Sequence, residues 1–170
     1  MKRFLSFLLV GWLLLNTGSF VWAQVPGSSL VAGNKYGNRV SNNLAGHISG
    51  TVNRPLLTVW VLEAGILATL SGQTDYTVFA PTEEALQKNK SSDPEQMRLI
   101  MLHHIVPGKY NLDDLKDGAK LPTLAGDDIT VFRKKKQILI SGVPVVSGNE
   151  TATNGVLHTI NDVLKPKNLN

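Results

Sequence analysis

The side chains best suited to chemistry in this sequence are three histidines and a few paired charges. His103 and His104 are adjacent, and His158 lies in a later apolar block. A zinc site needs three or four donors at workable geometry. Neighbouring helical residues point about 100° apart, so His103 and His104 cannot readily share one ion. His104 falls on the apolar face of its segment, and His158 inside an apolar run, so both read as core histidines satisfied by hydrogen bonds. Asp113-Asp114 and Asp127-Asp128 sit where helix starts and turns use aspartate. There is no Gly-x-Ser-x-Gly elbow, no cysteine nucleophile and no phosphate-binding glycine loop. These residues predict no reaction, no metal and no cofactor, and a chain that works by binding.

One run of charge stands out, Arg133-Lys134-Lys135-Lys136. Its chemistry suits an anionic polysaccharide or a membrane surface. A solvated hairpin turn whose lysines discourage edge pairing is the simpler use.

The elements that must position these residues follow from period and punctuation. Leu56 to Leu70 is strongly apolar at helical spacing and is interrupted by Gly65, which predicts two short helices meeting at a left-handed glycine. Tyr76 to Ala80 is β-branched and aromatic, a buried strand. Thr82 is then a good N-cap, and Glu83 and Glu84 suit the first turn of a helix. Asp93-Pro94 opens another helix with Met97, Ile100, Met101, His104 and Ile105 on one face, ended by Pro107-Gly108. Asn111 to Leu115 reads as one helical turn. Ile129–Phe132 and Gln137–Ile140 flank the basic run and predict a hairpin. Val143–Val146 and Gly155–Ile160 complete the strands, with Pro144 marking an edge or a strand start. Helices first and strands mostly later is the α+β pattern.

The amino terminus carries its own signal. Lys2 and Arg3 precede the apolar run Phe4–Leu15, and Val21-Trp22-Ala23 offers a cleavage site before Gln24. The run is shorter than the roughly 20 residues a membrane span needs. Removing residues 1–23 would leave 147 of 170 residues, a length suited to one domain. It would also take the 17 basic residues to 15 against 13 acidic ones, a net +2 that does not argue for nucleic acid. With no cysteine, an exported chain must rely on its apolar core. Residues 24–54 are rich in Gly, Asn and Ser and are expected to form a flexible leader, followed by a domain over 55–166 and a tail over 167–170.

Three blocks resemble a known family. Tyr76-Thr77-Val78-Phe79-Ala80-Pro81-Thr82-Glu83-Glu84-Ala85-Leu86 resembles the first signature of fasciclin domains, and Asn154-Gly155-Val156-Leu157-His158-Thr159-Ile160 through Pro166 the second. Between them, Met101 to Tyr110 is similar to the segment carrying the family's Tyr-His pair, with His104 at the histidine and His103 in the tyrosine's place. Asn161 stands where an aspartate is common. The resemblance implies a β-wedge with surrounding helices, no catalytic residue, and extracellular adhesion through protein or polysaccharide contacts. It marks Thr77, Phe79, Ala80, Pro81, Thr82, His104, Asn154, Gly155 and His158 as motif residues, mostly structural. Surface contact is expected from Arg133, Lys134, Lys135, Lys136, His103 and Tyr110. Some secreted fasciclin-like proteins of algae bind carotenoids. The alternative is therefore an apolar-ligand carrier with a groove lined by Leu56, Trp60, Ile66, Leu67, Ile100 and Met101.

Overall fold

The computed structural model describes residues 41–90, 93–135 and 137–167. The expected signal segment, the leader as far as residue 40, Lys136 and residues 168–170 lie outside the described residues.

The chain enters through a short helix, α1 (Leu44–Ser49), capped by Asn43, whose side chain accepts from the Gly46 N–H. Here the structure corrects the expected leader. Leu44 and Ile48 are fully buried in the core, so residues 44–49 are part of the packed domain. Two helices follow, α2 (Pro55–Glu63) and α3 (Leu67–Ser71), and Gly65 turns the chain between them at φ +66°. β1 (Tyr76–Pro81) leads into α4 (Glu83–Lys88), where Thr82 caps the Ala85 N–H as the sequence predicts. α5 (Pro94–His103) starts at the Asp93 cap. It ends earlier than expected: His104 is its C-cap, and Ile105 begins the strand β2 (Ile105–Pro107). Pairing with β1 overrides the helical period there, with Val78 opposite Ile105.

The remaining strands are β3 (Lys120–Pro122), β4 (Asp128–Lys134), β5 (Gln137–Ile140), β6 (Val143–Ala152) and β7 (Gly155–Ile160). With β1 and β2 they form one seven-stranded sheet in the order β2-β1-β7-β6-β5-β4-β3. The sheet curls until its ends approach, and the Leu124 N–H beyond β3 donates to the Ile105 carbonyl of β2 at 2.9 Å. β6 is longer than expected and is an interior strand, paired on both sides. Pro144 lies at its start, where a missing N–H is tolerated.

β1 and β7 pair in parallel from Tyr76↔Gly155 to Pro81↔Ile160, and both are buried on their two faces. That explains their nearly unbroken apolar texture. Val78, Ala80 and Leu157 face a cluster built with the helices, including Leu57, Trp60, Leu86 and Met101. Phe79 and Ile160 face a second cluster inside the curl, with Leu115, Ile129, Val131 and Ile140. A chain beginning at Pro55 loses Leu44 and Ile48, each worth about 2 kcal/mol of burial, plus the hydrogen bonds of α1. We expect it to be about 5 kcal/mol less stable than a chain beginning at Gln24 in urea denaturation. Equal midpoints would show that α1 is dispensable.

Candidate functional site

The motif residues lie along the β1–β7 pair and beside it, and almost all are consumed internally. Thr77 is buried, and its hydroxyl donates to the Gly108 carbonyl at 2.8 Å and accepts from the Tyr110 N–H at 2.9 Å. The loop after β2 is thereby fixed against β1. Asn154 is an internal clamp. Its Oδ1 accepts from the Leu44 N–H of α1 at 2.8 Å, and its Nδ2 donates to the Leu70 and Gly72 carbonyls at 2.9 and 2.8 Å. Gly155 follows at φ +150°, and a Cβ there would stand 2.0 Å from the Tyr76 carbonyl oxygen. Only glycine lets β7 meet β1 at that point.

The histidines are equally committed. His104 Nδ1 donates to the Ile100 carbonyl at 2.7 Å, and its Nε2 accepts from the Leu164 N–H at 2.9 Å. One donor and one acceptor require the neutral ring. Complete burial pulls its pKa down to about 4, with only partial compensation from the Ile100 carbonyl. His158 Nε2 donates to the Tyr110 carbonyl at 2.8 Å, and its Nδ1 accepts from the Asn149 N–H at 3.1 Å. Its ring lies 5.6 Å from that of Phe79, and burial again lowers its pKa.

His103 was expected at the surface, and the structure corrects this: it is buried. Its Nδ1 donates to Asp127 Oδ1 at 2.5 Å, and the Thr123 hydroxyl donates to the Asp127 backbone carbonyl at 2.8 Å. Burial lowers the His103 pKa, and the Asp127 charge opposes this without reversing it. The acid is itself held below its ordinary range, because burial is outweighed by the Lys167 N–H, His103 and Thr123. The pair joins the end of α5 to the loop before β4. Among the described residues, no group of three or more His, Asp or Glu is placed to hold a metal ion.

Several other predicted residues also make structural contacts. Arg133 donates through Nε to the Leu115 carbonyl at 2.7 Å and through its guanidinium to the Leu112 carbonyl, so it braces the 111–117 loop. Tyr110 is half-buried against the second cluster. Lys134 and Lys135 remain exposed at the β4–β5 turn. Most of the six groove residues are interior. Trp60, Ile66, Ile100 and Met101 are buried in the helical cluster, and Leu67 packs against it. Leu56 also packs there, beside an open cleft that it shares with Pro55, Glu83, Glu84 and Gln87.

Sequence reasoning missed two positioning contacts. Glu83 reaches from α4 to accept from the Leu56 and Leu57 N–H groups at 2.9 and 3.3 Å, capping α2, whose own N-cap residue Arg54 makes no cap bond. Arg54 instead forms a two-point bridge to Glu150, at 2.9 and 2.5 Å, from α2 to β6. Both link residues distant in sequence, and no local pattern announces them.

The fold and its motifs define a small α+β module in which the distinctive polar residues fix loops and helix ends. The fasciclin domain profile matches residues 56–166, and the chain belongs to that family. It is 33% identical over 118 residues to the transforming growth factor-beta-induced protein ig-h3 of Sus scrofa, covering 65% of this chain and 17% of that protein. It is 26% identical over 151 residues to the cell surface glycolipoprotein MPB83 of Mycobacterium bovis, covering 85% of this chain and 62% of that one. The chain thus spans less than two thirds of either relative. A FAS1 domain pair from the insect cell adhesion molecule Fasciclin I shares the fold, with a TM-score of 0.61 at 18% identity, covering 74% of this chain and 51% of that one.

Two measurements check these roles. Asn154→Ala strands the buried Leu44 N–H and the Leu70 carbonyl, and we expect a loss of about 3 kcal/mol in urea denaturation. A loss below about 1 kcal/mol would remove the clamp from the account. The second is pH dependence. The folded His104 pKa of about 4 lies below the unfolded 6.5, so the unfolded state binds more protons between these values. Stability is therefore full above pH 6.5 and falls as pH drops towards 4, by about 3 kcal/mol from His104 alone. His103 and His158 act in the same direction. Urea midpoints that do not move between pH 7 and pH 4.5 would contradict this.

Proposed function

We propose that this chain is exported and serves as an adhesion module, its fasciclin domain contacting extracellular protein or polysaccharide without catalysing a reaction. The observation that carries the reading is the family match over 56–166. Two comparisons support the setting: one relative is by name a cell surface glycolipoprotein, and the fold neighbour comes from a cell adhesion molecule. The internal use of His104, His158, Asn154 and Thr77 supports a role for the surface rather than for a buried site. No described helix is long and apolar enough to cross a membrane. The apolar segment before Gln24 supplies the export signal in this reading.

Deleting the gene is expected to reduce cell aggregation, biofilm formation and surface attachment, and re-expression of the chain to restore them. Unchanged attachment in the deletion strain would refute the adhesion role. The same protein, purified from its native host, should be colourless. An absorbing, extractable polyene would instead make it the carotenoid carrier. That reading would then need a binding surface other than the buried Trp60, Ile66, Ile100 and Met101.

A further inference from the structure

The outer face of β4, β5 and β6 departs from the usual pattern for a sheet with one wet side. Along β4, Ile129 and Val131 point into the second core cluster, so Thr130, Phe132 and Lys134 point out. Outward positions on such strands are normally polar. Here Phe132 lies directly opposite Leu139 of β5, which lies opposite Pro144 of β6. Three apolar side chains thus form a row across three strands. Phe132 is 43% exposed, and Val146, farther along β6, is 60% exposed.

Cations border this row. Lys134 is the next outward residue on β4, and Lys135 forms the tip at φ 55°. Lys120 of β3 pairs with Thr130 and shares the outward face. Arg133 is excluded from this set because its guanidinium is spent on the 111–117 loop. Asp128, at the far end of β4, is the acid among the outward residues of that strand. The face is therefore positive at its tip and apolar at its centre.

Those two properties select between anionic partners. A sulfated or uronic polysaccharide neutralises lysines and can stack a sugar face on one ring, but it offers no apolar phase to a Phe132–Leu139–Pro144 row that crosses three strands. An anionic bilayer offers phosphates to the lysines and an acyl boundary to the ring, the arrangement by which amphipathic surfaces settle at the interface. We propose that the outer face of the β4–β5–β6 sheet docks on an anionic lipid surface, with the Phe132–Leu139–Pro144 row at the headgroup–acyl boundary and Lys120, Lys134 and Lys135 against lipid phosphates. The face is already folded and its backbone is paired, so docking needs no rearrangement.

The test is co-sedimentation of the exported, processed chain with vesicles of phosphatidylcholine alone and of phosphatidylcholine mixed with phosphatidylglycerol. Binding is expected only to the mixed vesicles and is expected to weaken with salt. Phe132→Ser, which leaves the charge unchanged, should lower partitioning about tenfold. Lys134→Gln combined with Lys135→Gln should lower it by a similar factor or more. All three positions are exposed, so urea midpoints should match those of the parent and confirm that the variants are folded. Absent binding, or equal binding to both kinds of vesicle, overturns the proposal. So does a Phe132→Ser protein that partitions like the parent, and retention on heparin resin by a chain that ignores vesicles would assign the face to polysaccharide.

Discussion

The parallel pairing of β1 with β7 is the constraint on which the rest of the domain depends. Every major element touches it or is aligned by it. The helices pack on one side through Val78, Ala80 and Leu157, and the curled half of the sheet packs on the other through Phe79 and Ile160. The pairing starts where the Gly155 backbone passes so close to Tyr76 that no side chain fits between them. Asn154, one residue earlier, ties the same point to α1 and α3. Close approach and clamp are adjacent because the turn must be held rigid where the strand register is set.

That arrangement gives the motif blocks a physical meaning. Asn154-Gly155 secures the start of β7, Thr77 fixes the loop after β2, Thr82 starts α4, and His104 and His158 each bridge two backbone segments. They are sites of structural chemistry, in which polar atoms are buried only because each meets a partner.

Local rules made several elements legible in the sequence. Gly65, Thr82 and Asp93-Pro94 announce their turns and caps through chemistry confined to three or four residues. The strands β1, β4, β5 and β7 announce themselves by branched and aromatic runs. What escaped was set by distant partners. Helix α1 lies in a Gly- and Asn-rich stretch and depends on core burial of Leu44 and Ile48 and on Asn154. β2 continues a helical period and becomes a strand only because β1 is there to receive it. The polar second half of β6 is extended because β7 pairs with it across a bulge. His103 looked like a surface departure from the family pattern because the acid that justifies its burial, Asp127, lies 24 residues away.

The Tyr76↔Gly155 pairing also governs when the molecule can exist as a folded body. The paired residues lie 79 positions apart, and no disulfide can hold an early fragment together. Isolated helices of this length are marginal, neither core cluster closes until residue 160 has arrived, and loop closure over that span is slow. Whatever pore or ribosome delivers this polypeptide therefore handles a thread rather than a globule. Its late-closing topology keeps it threadable until residue 160 has emerged.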